Sequence, residues 1–232
     1  RMAAVEDRMW WYQALHAELL GALATSATTG AVLDAGCGTG GFLRRLAATL
    51  PARPRFGVEI MRQAAGLAAA RSQSPVCVGS VNALPVAAGG VAAVVSADVL
   101  CHGQVNEAQA LAEFRRVLAP GGMLVLNLPA FRWMESAHDR AVHNTRRYTR
   151  PQVEAMLRQA GFRIARVRYW NSLLFPLMVV QRKLLARNAA ASDVHLFPAP
   201  VEALFRAVTA LERLLPFSLP FGGSVLAVAH KP

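Results

Sequence analysis

The chain has 232 residues, 54% hydrophobic and 17% charged, which excludes a disordered polypeptide and fits one domain with room for an added lobe. Its formal net charge is +11, from 25 Lys and Arg against 14 Asp and Glu, so nucleic acid, a membrane surface and an acidic small molecule are the partner classes to weigh. No apolar run reaches the length of a membrane span, and residues 1–7 lack the apolar stretch of a signal peptide. Cys37, Cys77 and Cys101 are odd in number and without metal-type spacing, which predicts reduced thiols in a cytoplasmic protein and no metal site.

In chain order, Val5, Met9, Tyr12, Leu15, His16, Leu19 and Leu23 recur at helical spacing and predict a helix over 5–24. Short apolar runs then alternate with helical patterns. Strands are expected at 31–35, 55–59, 76–79, 91–96 and 123–128, and helices at 42–50, 61–71 and 106–118. Such alternation builds a parallel sheet with helices on both faces. Residues 130–150 read as a loop rich in His and Arg. A helix over 151–160 is closed by Gly161, and a strand follows at 162–169. A stretch rich in Leu, Pro and Phe comes next, helical at 174–188 and 199–214, before a last strand at 224–229.

The strongest local signal is Val32-Leu33-Asp34-Ala35-Gly36-Cys37-Gly38-Thr39-Gly40-Gly41, a Gly-rich turn between a strand and a helix. Glycines there permit positive φ and close approach of a ligand. Glu59 ends the next strand and can accept hydrogen bonds from both ribose hydroxyls of an adenine nucleoside. Gly36, Gly38 and Gly41 fit a dinucleotide turn; Gly36, Gly38 and Gly40 fit a G-x-G-x-G turn. Asp34 separates the two readings, because a carboxylate suits a ligand with a cationic amino group and repels a pyrophosphate.

With Asp34 included, Val32–Leu43 resembles motif I of the class I S-adenosylmethionine (SAM) methyltransferases. Gly57-Val58-Glu59-Ile60 resembles their motif II, and Gly79–Pro85 their adenine segment. Ala97–His102 and Glu113–Gly122 complete the pattern of the ubiquinone-biosynthesis-like, type 11 group over about residues 10–170. The resemblance implies an α/β fold: a Rossmann-like, seven-stranded, mostly parallel sheet with helices on both faces and a helical insertion before the last strand. The expected organisation is an N-terminal cap (1–30), a SAM-binding core (31–170), the insertion (171–223) and the last strand (224–232).

It also implies a SAM-dependent methyltransferase, with S-adenosylhomocysteine as product. Asp34, Gly36, Cys37, Gly38 and Gly40 would hold the methionine end, and Glu59 the ribose. Ile60, Ser80, Val81, Asn82 and Ala83 would hold the adenine, and Tyr12, Ala97 and Asp98 complete the cofactor set. Ser80 departs from the family, where Asp is common; a serine still hydrogen-bonds the adenine amino group, without the charge.

Methyl transfer needs proximity, orientation and sometimes a base. His102, His143 and Tyr148 are the acid/base candidates, each weighed against a structural role. Trp11, His138, Arg146 and Arg147 are the candidate substrate contacts, the arginines for a carboxylate or phosphate. The alternative is that the polar groups of 136–149 hold their own loop down. His138, Asp139 and His143 make a thin shell for a metal.

Eleven Lys or Arg lie between Arg140 and Arg187 against the single acid Glu154, so most of the net charge is local. The insertion opens apolar, from Leu173 to Val180, and turns basic at Arg182-Lys183. A substrate lid, a dimer surface, a self-burying layer and a peripheral membrane contact are its four readings. The sequence carries no RNA-binding module or basic tail, which argues against nucleic acid. The expected activity is methylation of a small molecule, anionic or apolar, with oxygen favoured over nitrogen or carbon as acceptor, by a monomer or homodimer. RNA methylation and SAM binding without transfer are the alternatives.

Overall fold

The computed structural model describes residues 6–25, 29–136, 139, 144–185 and 196–232. Seven apolar segments pair into one sheet: β1 (Val32–Ala35), β2 (Arg55–Glu59), β3 (Val76–Val78), β4 (Val91–Ala97), β5 (Leu118–Pro129), β6 (Arg163–Trp170) and β7 (Ser224–His230). The order is β3-β2-β1-β4-β5-β7-β6. β1 to β5 are parallel, and β7 runs antiparallel to both β5 and β6.

Alternate side chains of the central strands serve two cores, as the two-residue repeat of a strand requires. Leu33, Val94 and Leu124 pack with α4 (Glu107–Val117) and α5 (Arg150–Gln159). Val32, Ala93, Val95 and Val125 pack on the other face with α1 (Trp10–Ala24) and α2 (Gly41–Thr49). α3 (Arg62–Ser72) lies beside α2, with Ala68 against Leu43 and Cys37. The insertion supplies α6 (Phe175–Val180), a π-turn at Gln181–Leu185, and α7 (Ala199–Arg213). It leaves and returns at one point: Gly223 N donates to Asn171 O (3.3 Å), and Ser172 Oγ to Phe221 O (2.6 Å).

The expected elements occur in the expected order, with three shifts. α1 starts at Trp10 rather than residue 5, because Glu6 and Asp7 form a turn drawn to Arg71 and Arg44. β5 starts at Leu118 rather than residue 123: Leu118 pairs with Val91, and Gly121 N and Gly122 O bond Lys231. The helix expected over 174–188 is the short α6 and its π-turn as far as residue 185.

Candidate functional site

All parallel strands end at one edge, and the Gly-rich turn leaves it from β1. Gly36 N (2.8 Å) and Cys37 N (3.1 Å) donate to Val58 O, and Gly40 N to Cys37 O (2.9 Å). This folds the turn back over β2. Gly40 (φ +82°) is closed to any side chain, since a Cβ would lie 2.7 Å from Ala68 Cα. Gly38 (φ +53°) differs: its Cβ direction meets open space. One side of the turn is packed and the other faces a free volume.

Carboxylates surround that volume. Asp34 is buried at the end of β1, and its Oδ2 has no hydrogen-bond partner. Burial pushes its pKa up to about 8, and the neighbouring Glu6 and Glu59 push the same way. Glu59 is buried too, accepting from Gly38 N and Met61 N (both 2.9 Å). Each of its oxygens keeps a lone pair for a further donor. Asp98 directly follows β4 in a left-handed conformation (φ +54°) that Asp tolerates. Burial raises its pKa to about 7, opposed by Arg147 and by the hydrogen bond from Asn127 Nδ2 (3.0 Å).

α1 closes over this edge. Glu6 accepts from Thr39 Oγ1 (2.6 Å) and Arg71 Nη1 (2.9 Å), which latches the chain just before the helix to the Gly-rich turn. Tyr12 is half-buried near Glu6 and Asp98; burial and both carboxylates raise its phenol pKa. His16 packs between Tyr12 and Phe42, and burial lowers its pKa to about 4. Trp11 stacks on Trp170 (6.4 Å), whose indole donates to Asn127 Oδ1 (2.7 Å). Trp10 points the other way, edge-on to Phe205 of α7 (5.3 Å).

The adenine candidates lie along the same edge. Ile60 is exposed at its rim and Val81 is buried. Ser80 Oγ accepts from Asn82 N (3.1 Å), and Asn82 Oδ1 from Asn106 N (3.0 Å). Ala83 N donates to Ser80 O (3.1 Å). Cys37 is buried against Gly57, where a Cβ would sit 2.6 Å from Cys37 Sγ. Burial raises the Cys37 thiol pKa. Ala97 is half-buried against α1.

The loop after β5 is held down by its own polar groups, as the alternative reading of the sequence has it. Arg146 Nη1 donates to three carbonyls, Leu100 (3.0 Å), His102 (2.9 Å) and Val105 (3.0 Å). Arg147 forms a bidentate pair with buried Asp139 (2.8 Å to each oxygen) and donates to Ala130 O (2.9 Å). Both guanidinium groups anchor the loop. Tyr148, one of the acid/base candidates, is buried and bonded to Leu100 O (3.0 Å) and Glu107 Oε1 (2.7 Å), so its hydroxyl pins the loop to the start of α4. His102 is half-buried and bridged to Asn144. His138 and His143 lie outside the described residues. A cleft of about 880 Å³ between α4 and α5, lined by Asn106, Leu111 and Met156 among others, includes no residue of the Gly-rich turn.

Glu6, His16, Arg71 and Asn127 escaped the sequence reading. Nothing in their local pattern marks them; the tertiary fold brings them to the edge from positions far apart in the chain.

Residues 33–126, which span β1 to β5, match the family model for the type 11 methyltransferase domain. Over those residues the chain resembles the class I SAM-dependent methyltransferases. It is 32% identical over 169 residues to an uncharacterized 37.1 kDa protein in transposon TN4556 of Streptomyces fradiae. That match covers 69% of this chain and 48% of the relative, so the chain spans about half the length of the curated relative it matches. Among solved structures, it resembles a chain from the complex between the Haloferax volcanii Trm112 methyltransferase activator and a methyltransferase. The TM-score is 0.64 at 21% identity, covering 100% of this chain and 93% of that one. It also resembles geranyl diphosphate C-methyltransferase from Streptomyces coelicolor. That TM-score is 0.63 at 17% identity, covering 95% and 78%. At these identities the likeness concerns the fold.

This edge of the sheet fits SAM on its own observations. The unpartnered Asp34 oxygen matches a cationic amino group, the open side of Gly38 leaves room for the chain bearing it, and Glu59 has lone pairs for ribose hydroxyls. Among the described residues no helix is long and apolar enough to cross a membrane.

Proposed function

We propose that this domain methylates an oxygen of a small, apolar molecule, with SAM as donor. The observation that carries it is the buried Asp34 carboxylate with an oxygen lacking a partner, beside a Gly-rich turn open on one side. SAM supplies a methyl on a sulfonium, which an acceptor takes by in-line displacement. The residues that would hold it are Asp34 and the turn from Gly36 to Gly40 at the amino acid end, Glu59 at the ribose, and Ile60 and Ser80–Ala83 at the adenine. In this reading residues 1–30 and 171–223 cover the 31–170 core, and α1 excludes water through Tyr12 and Trp11.

In this reading two groups at the edge would take a hydroxyl proton. Asp98 has a pKa of about 7, and His102 follows it after β4. That pairing supports oxygen as acceptor. An apolar substrate is supported by the aromatic group beyond β5. Phe131 stacks on Tyr169 (5.0 Å) and meets Phe175 (5.7 Å), and Trp133 is half exposed beside them. An anionic substrate loses its support, since Arg146 and Arg147 are spent on the loop.

The test is turnover with radiolabelled SAM against a small-molecule extract and against RNA from the same cells. Label entering an organic-soluble methyl ether or ester is the expected result. Label in RNA at low salt only would move the assignment to nucleic acid. SAM binding without turnover on either pool would leave a binding domain.

A further inference from the structure

The sheet ends differently on its two sides. β6, at one end, carries Arg163 and Arg166, both exposed, and a bulge between Ile164 and Arg166. Charged side chains and bulges keep a sheet edge from pairing with another strand. β3, at the other end, has neither. It pairs in regular parallel register with β2, and among the described residues no strand lies beyond it. Pro75 O accepts from Gly57 N (2.9 Å) and Gly79 N donates to Glu59 O (3.0 Å), so Pro75, Cys77 and Gly79 turn their main-chain groups to β2. Those of Val76 and Val78 point to the open side. Cys77 is exposed, and Val78 is 47% exposed. Leu67, on the helix α3 that packs along β3, is 40% exposed. An open edge with apolar side chains is a template for one more strand.

Charge and symmetry decide whose strand it takes. The chain carries a formal +11, so two copies repel across most of their surface. Residues 72–97, which include β3 and the chain on either side of it, contain no Asp, Glu, Lys or Arg. An acidic partner would be drawn to the basic faces, whereas a second copy meets least repulsion here. The edge also fits itself. In antiparallel pairing about a twofold axis at Cys77, Val76 of one copy lies opposite Val78 of the other, and the two exchange N–H and C=O bonds. Cys77 then faces its own copy as a non-hydrogen-bonded pair, with Cα atoms about 4.5 Å apart. That axis stands perpendicular to the sheet. It sets the α3 helices of both copies on one face, where Leu67 and Val78 gain a cover.

We infer that β3 is the surface by which two copies of this chain pair, antiparallel about Cys77, into one continuous sheet. This stands apart from the methyl-transfer reading, because no residue of the Gly-rich turn takes part.

The test is sedimentation velocity of the intact, reduced chain from about 1 to about 100 μM. A reversible dimer is expected. Val78→Pro removes an N–H that faces outward and spares the bonds to β2, and Val78→Lys puts a charge on the edge. Each variant raises the dimer dissociation constant at least about tenfold. The circular dichroism spectrum stays unchanged in both, which shows that the fold is intact. Diamide, which takes two electrons and two protons from a pair of thiols, links the copies through Cys77, since Cys37 and Cys101 are buried. Cys77→Ser abolishes that link and keeps the dimer. A wild-type chain that stays monomeric over this range overturns the inference. So does a dimer that survives both Val78 variants, or one that diamide cannot link.

Discussion

At the carboxyl edge of the sheet, Asp34 and Asp98 are carboxylates withdrawn from water; on the outer face of α7, Leu204 and Leu214 are leucines left in it. Each arrangement costs free energy in the isolated chain. The first has carboxyl groups whose pKa is raised by burial, and the second has apolar area without a cover. A fold keeps such features where a ligand or surface offsets the cost, and their chemistry says which kind. Buried carboxylates beside a Gly-rich turn call for a small cation. Exposed leucines call for an apolar cover. Elsewhere the same groups are matched within the chain, as Asp139 is by Arg147 and Glu202 by the amides of Trp10 and Phe197.

Arg147→Ala should break the contrast hardest. It leaves Asp139 buried without its partner, at a cost of about 3–5 kcal/mol, visible as a large fall in melting temperature. If the fall is small, Asp139 is no better matched than Asp34 and the contrast fails.

Asp34→Asn comes next. The amide keeps the shape and removes the charge, so SAM affinity in calorimetry should fall about 10- to 100-fold, as expected for a lost charged hydrogen bond. Stability of the ligand-free chain should hold or rise, because a desolvated carboxylate has gone. Equal loss of affinity and stability would make Asp34 a structural residue.

The pH dependence follows from the raised pKa values. Asp34, at about 8, and Asp98, at about 7, hold their protons in the fold where the unfolded chain has released them. Their contribution to stability is complete below the usual carboxylate range and is lost as pH rises through 7 to 8. SAM binding should run the other way. Affinity rises by up to about tenfold per pH unit below pH about 8 and then levels, since the amino group needs ionised Asp34. Titration calorimetry at several pH values checks this, and the slope should vanish in Asp34→Asn.

Leu204→Ser has the smallest effect on the fold. It should change unfolding free energy by no more than about 0.5 kcal/mol in a denaturant titration, because the side chain is already in water. A larger loss would mean that α7 buries this face within the chain.

The core was legible because its signals are local. The 3.6- and 2-residue periods, Pro and Gly at element ends, and the Asp34–Gly41 turn each depend on residues close in sequence. Strand β2 and helix α7 fall where periodicity sets them, within a residue. The β5 start was hidden because a Pro-Gly-Gly stretch reads as a turn, yet it is held by Lys231, 109 residues or more away. The roles of Arg146, Arg147 and Tyr148 were hidden for a related reason. An arginine or tyrosine in a polar loop suits a ligand or a carbonyl equally, and only the placement of Leu100, Val105 and Asp139 decides between them.

By itself, the sequence determined the alternating architecture, the turn with its two carboxylates and the concentration of positive charge in the second half. Those depend on residue type and short spacing. The tertiary structure alone decided which charges are spent and which remain. It turned the arginines of the 144–148 loop inward, set Arg206 of α7 on Gln13 of α1, and brought Glu6 to Thr39 and Arg71. Hydrogen bonds and desolvation act between neighbours in space, and the chain order does not specify those neighbours.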